Sequence, residues 1–208
     1  MDILRFTGFL ILSYFLTVVP ISGQDTESLQ DAFSKSYQAE AQGDYSKASK
    51  ALTAVFDKNS YELNLRLGWL NYKAGLLTES ESYYRRAIQL MPFGIEARFG
   101  LVYPLSSLGS SNQVVNTYKE ILDIDPQNSL ANFRIGLVYY GLEDYSKANL
   151  HFSKVVNLYP FDYEGIHMLA WTKLKMGKNN DAKILFEKAL LFKPKDQSSL
   201  DGLALINQ

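Results

Sequence analysis

The sequence predicts an all-α protein, a solenoid of about five stacked helix pairs closed by a C-terminal capping helix, and three observations predict it. Pro92, Pro126, Pro160 and Pro194 each stand 34 residues from the next. Apolar ladders keep the same step: Tyr84, Tyr118, Phe152 and Phe186, then Ala87, Ile121, Val155 and Ala189, then Leu67, Leu101, Ile135 and Leu169. The phrase DYSKA occurs at residues 44–48 and again at 144–148, three periods less two residues. The two phrases therefore mark equivalent turns, in a chain whose first repeat is two residues short before Tyr61. A fixed period of this length is the mark of a repeat architecture.

In chain order, the first element is a leader. Residues 1–23 carry Arg5, an apolar run from Phe6 to Val19, then Pro20 and small residues. This is the layout of a secretory signal peptide, with cleavage expected after Gly23 and export to a periplasmic or extracellular space. An uncleaved N-terminal anchor is the alternative, although the run is at the short end of the roughly 20 residues that span a bilayer. Membrane contact is expected only through such an uncleaved N-terminus. No cysteine follows the run, which excludes a lipoprotein anchor, disulfides and thiolate chemistry alike.

Residues 24–208 form the solenoid, with repeats at about 29–60, 61–94, 95–128, 129–162 and 163–196 and a cap at 197–208. In the second repeat Leu63, Leu67, Leu70 and Ala74 share one helical stripe, a turn follows at Gly75, and Tyr84, Ala87, Ile88 and Leu90 mark a second helix. Gly109 and Gly177 occupy the same turn slot as Gly75, and Glu143 takes it in the fourth repeat. The period-setting proline separates one pair from the next, because it cannot continue a helix. A single pair cannot bury both its faces, so neighbours must share a core. Repeat one is the loosest; Phe33 and Tyr37 fit either its core face or its open face, depending on where the two missing residues fall, and the core face is preferred. In the cap, Leu200, Leu203 and Ile206 form the side that would cover the last repeat.

On these elements the chain resembles the tetratricopeptide repeat (TPR) family over about residues 29–196. LRLGWLNY and FRIGLVYY carry its Leu/Ile-Gly element, and AKILFEKAL with Pro194 carries its second half. The early Trp place of the family instead holds Asn64, Arg98, Asn132 and Ile166, and its Gly becomes Val102 and Ala170. The resemblance implies a right-handed superhelix whose first helices line a concave groove. It also implies that the fifth, ninth and twelfth places of each repeat point into that groove. Here these are Leu65, Trp69 and Tyr72; Phe99, Tyr103 and Ser106; Phe133, Leu137 and Tyr140; His167, Trp171 and Leu174. The ninth-place rings, Trp69, Tyr103 and Trp171, are the residue types that most often carry interface energy. Relatives that clamp charged C-terminal tails place Lys and Asn in these slots, and this chain does not.

Composition narrows the function further. A formal net charge of −1, with basic residues scattered, gives no field for nucleic acid. His151 and His167 lie in different repeats without metal-ligand spacing, and both are expected as partly exposed helix residues. No phosphate-loop, dinucleotide or nucleophile-elbow motif occurs, and GSSNQ at 109–113 is a turn between helices. The expected function is that of a non-enzymatic interaction scaffold without cofactor, metal or small-molecule substrate, holding a peptide or helix of a partner protein. An envelope-assembly factor or an accessory subunit of an enzyme complex is the alternative.

Overall fold

The computed structural model describes residues 23–206, in which eleven helices follow one another without a strand. They are α1 (Gly23–Ala41), α2 (Tyr45–Thr53), α3 (Tyr61–Lys73), α4 (Leu77–Leu90), α5 (Glu96–Ser107) and α6 (Ser111–Ile124). Then come α7 (Ser129–Gly141), α8 (Tyr145–Leu158), α9 (Tyr163–Lys175), α10 (Asn179–Phe192) and α11 (Gln197–Ile206). The expected leader lies outside the described residues, apart from Gly23, which opens α1. No helix among the described residues is long and apolar enough to cross a membrane.

Short polar side chains set where helices begin. The Ser60, Asn128 and Asp162 side chains each accept the backbone N–H three residues on, capping α3, α7 and α9. The DYSKA phrase is such a start. Asp44 and Asp144 accept the Lys47 and Lys147 amides at 2.9 and 3.1 Å, while Ala48 and Ala148 are fully buried. Within each pair the turn runs through a left-handed residue: Gly43, Gly75, Gly109 and Gly177 have φ between 70° and 80°, and Glu143 holds the slot at φ 59°. Only glycine takes this conformation without strain.

The turn glycines also fix the first repeat. Gly43 and Gly75 are 32 residues apart, and α2 has 9 residues where α4, α6, α8 and α10 have 14. The two missing residues therefore fall after the turn. The register then pairs Phe33 with Leu65 and Tyr37 with Trp69, which corrects the assignment of Tyr37 to the core, while Phe33 is half-buried and packs against the first core cluster as it borders the groove. Tyr37 is 53% exposed, and the buried face of α1 is Ala32, Ser36 and Ala39. Asp31, Lys35 and Gln38 stand where α3 has Leu63, Leu67 and Leu70, and all three are exposed. Among the described residues no helix pair precedes α1, and this face is polar and exposed, as suits the end of a stack.

Each α-helical pair buries its own interface and shares the rest with the next. The three sequence ladders are buried throughout. Trp69 packs against both the first and the central core cluster, and Leu185 against both the central and the last, so the clusters run on into one another. Ring-to-glycine packing sets the spacing between repeats. A Cβ on Gly100 would come within 2.1 Å of the Tyr84 ring, and one on Gly202 within 2.3 Å of Phe186. Gly100 and Gly202 are three periods apart, so α11 docks on α10 in the position of a sixth first helix. Two details differ from the sequence expectation. Ala74 is exposed because α3 ends at Lys73, and Leu200 is 40% exposed, so of the three apolar side chains expected on the cap Leu203 and Ile206 pack onto the last core.

The residues in the family's Trp place have a different task here. Asn64, fully buried, donates from Nδ2 to the carbonyls of Lys58 and Ser60 at 3.0 and 2.7 Å. Asn132 does the same to Pro126 and Asn128, and Arg98 donates to the Gly94 carbonyl at 2.8 Å. Each side chain fastens the loop between repeats to the helix that follows it.

Candidate functional site

The first helices carry the site. α3 touches α5, α7 touches α9, and α9 touches α11. Between α1, α3 and α5 lies an open groove of about 620 Å³. Its floor includes Phe33, Tyr37, Leu65, Trp69, Phe99 and Tyr103, all from fifth and ninth repeat places. Tyr103 is 49% exposed. It packs on Tyr72 with ring centroids 5.3 Å apart and on Trp69 at 6.0 Å, and Trp69 meets Tyr72 at 5.9 Å. Three rings in mutual contact form a rigid apolar step, with Tyr103 at its open side.

Charge is ordered around this floor. Arg66 lies over the Tyr37 ring, 4.1 Å from its centroid, and pairs with Glu40. The second Glu40 oxygen accepts the Trp69 indole N–H at 2.6 Å. The Arg66 guanidinium, then the Trp69 bond and the Lys73 charge, hold the Glu40 carboxyl below its ordinary value, against a partial desolvation that acts the other way. Glu62 and Glu96 line the groove without an ion pair among the described residues. Burial, and after it the charge of Glu96, pushes the Tyr61 phenol up.

The remaining expected groove residues are placed otherwise. Phe133, Leu137 and Tyr140 are half-buried against the central core, Phe133 on Phe152 and Tyr140 on Tyr145. His167 and Trp171 are covered by the cap, which corrects their assignment to an open groove. The Trp171 N–H donates to Ser198 Oγ at 3.0 Å, its ring meets Phe186 edge-on at 5.2 Å, and Leu174 packs in the same cluster. Phe33, Tyr37 and Arg66 are site residues that the sequence reading missed. The signal for the two rings was the spacing of Gly43 from Gly75.

Ser198, His167 and Asp196 come together at the cap, yet they do not form a proton relay. Both contacts use the same imidazole nitrogen: Nε2 is 2.9 Å from Ser198 Oγ and 3.7 Å from Asp196. A relay needs the base and the orienting carboxylate on opposite nitrogens. Burial lowers the pKa of His167, with Asp196 acting against it. His151 is held down to about 4 by burial, with Lys154 and Lys119 adding to it; its Nδ1 contacts Asn132 Oδ1 at 3.0 Å. Among the described residues no three His, Cys, Asp or Glu are grouped so as to hold a metal ion.

Comparison with known proteins points one way. Sequence models of the tetratricopeptide repeat match residues 34–95, 130–162 and 163–196. A tetratricopeptide repeat protein from Parabacteroides merdae superposes with a TM-score of 0.74 at 22% identity, covering 86% of this chain and 72% of that one. MamA from Desulfovibrio magneticus does so with a TM-score of 0.69 at 18% identity, over 82% and 98%. YrrB, described as a TPR protein with an unusual peptide-binding site, gives a TM-score of 0.68 at 12% identity, over 85% and 96%. Likenesses at such identities speak for the fold. The matched repeats, the 34-residue period and the stacked helix pairs together place this chain in the tetratricopeptide repeat family.

Proposed function

We propose that the chain is a non-catalytic interaction scaffold that holds a peptide or helix of a partner protein in the groove between α1, α3 and α5. The observation that carries this reading is Tyr103. A large ring, half exposed, is held rigidly by Trp69 and Tyr72 at the edge of an apolar floor that no other part of the described chain covers. Rigid aromatic anchors in a concave site are where interface energy concentrates. The peptide-binding site named for YrrB is in keeping with this use of the fold. The layout of residues 1–23 supports an exported scaffold, periplasmic or secreted, with an N-terminal anchor as the alternative.

The test is Tyr103→Ala. Capture of partner from the envelope fraction by the wild-type chain is compared with capture by the variant, beside thermal unfolding of both. The expected outcome is near-normal melting with at least roughly a thirtyfold loss of affinity for the captured partner. Undiminished capture by the variant would remove the groove from the function.

A further inference from the structure

We infer that the segment taken by this groove is cationic as well as apolar: a partner peptide with an aromatic or aliphatic anchor and an Arg or Lys beside it. This rests on the groove reading above and adds the chemistry of the occupant. Three observations lead to it. The first is that the two carboxylates lining the groove, Glu62 and Glu96, have no cationic partner among the described residues. Among the described residues Glu62 accepts only the Ser60 hydroxyl, and Glu96 only the Tyr61 hydroxyl at 3.5 Å. The second is that the one cation lining the groove among the described residues, Arg66, is already neutralised by Glu40. Lys73 lies over Trp69 and Tyr45 and does not line the groove; neither does Arg134, at the same repeat place as Arg66.

The third is that the molecule already holds one guanidinium in this way. Arg66 covers the Tyr37 face while a carboxylate takes its N–H groups. Across the groove the open Tyr103 ring and the Glu96 carboxylate, which forms no ion pair among the described residues, stand two turns apart on α5. An arginine brought by a partner would lay its plane on an aromatic face and reach a carboxylate, which is the arrangement its flat, forked donor set favours. An acidic segment would meet two exposed carboxylates that form no ion pair among the described residues, and be repelled. Anchor and charge therefore act together: the aromatic floor gives affinity, and the carboxylates choose which apolar segments are accepted.

The experiment pans a random dodecapeptide library on the full chain. Selected peptides are then synthesised and titrated against wild type, Tyr103→Ala and the double variant Glu62→Gln/Glu96→Gln. Both glutamates are exposed, so the double variant leaves folding intact. The expected peptides carry Arg or Lys next to a ring or a Leu. Their affinity falls about three- to tenfold in the double variant, as two exposed pairs are removed. That difference closes as salt screens it. Peptides that need Tyr103 but are neutral or acidic, or that ignore the double variant, overturn the inference and leave the groove reading standing. Peptides indifferent to Tyr103→Ala overturn both.

Discussion

Trp69 and Trp171 hold the same place in two repeats three periods apart, and they end in opposite situations. Trp69 gives its indole N–H backwards, to Glu40 on the first helix, and shows its ring to Tyr72 and Tyr103 in the groove. Trp171 gives its N–H forwards, to Ser198 at the start of the cap, and lies under α11 beside Phe186. Repeat place fixes the side of the solenoid that a residue faces. What stands on that side is fixed by the ends of the stack. At the N-terminal half α1 leaves the groove open, and at the C-terminal half a sixth first helix closes it.

The largest expected effect follows directly. Trp171→Ala should cost about 3 kcal/mol of stability, because it empties a packed site and leaves the cap with Leu203 and Ile206 as its apolar contacts. Chemical denaturation checks it, with hydrogen exchange locating the loss in α9–α11. Trp69→Ala should also cost stability, since its ring packs against two core clusters, and should in addition cut partner binding, which Trp171→Ala should spare. Equal losses of binding for the two would erase the contrast between open and closed halves.

Acid should separate the halves as well. Both histidines, His151 and His167, lie in the C-terminal half, and both have pKa values lowered chiefly by burial. A base whose folded pKa lies below its unfolded value binds its proton more readily when unfolded, so stability is lost as pH falls. For His151 the window runs from about 6.5 down to about 4. Its half exposure limits the effect to the order of 1 kcal/mol. Glu40, the acid beside Trp69, is shifted the opposite way from an ordinary buried carboxyl, and its contribution stays until pH falls below the ordinary carboxyl value of 4.5. In single-tryptophan variants, the Trp171 fluorescence should therefore change first on acidification and the Trp69 signal only below about pH 4.5. Simultaneous changes would mean that the whole stack opens as one unit.

Much of this was legible in the sequence, and the reason is periodicity. A ladder such as Leu67, Leu101, Ile135 and Leu169 reports burial because each member meets the same neighbour in the next repeat. Where the neighbour changes, the pattern stops reporting. His167 and Trp171 read as groove residues because their place does so elsewhere, and only the docking of α11 puts Ser198 over them. Phe33 and Tyr37 read as core because the shortfall in repeat one could be placed before or after them. Gly43 at φ 75° settles the choice. The partners of Arg66 were hidden for a related reason: Glu40 and Tyr37 come from the preceding repeat, through a contact that no ladder repeats.

The smallest expected effect tests the rule of place against the residue itself. Glu143 occupies the turn slot that Gly75, Gly109 and Gly177 hold, with φ 59°. A side chain in the left-handed region is strained by roughly 1 kcal/mol, and glycine removes that strain. Two terms act against the gain. Glycine loses more backbone freedom on folding, and an acidic group just before α8 is mildly favourable at a helix N-terminus. The side chain itself is exposed and forms no ion pair among the described residues, so nothing else is lost with it. Glu143→Gly should raise stability by about 0.5 kcal/mol, while Glu143→Val, β-branched in the same conformation, should lower it by about 1 kcal/mol or more. Urea midpoints of the two variants against wild type measure both. The opposite order would mean that this turn relaxes out of the left-handed conformation, and that the fourth repeat keeps its period by other contacts.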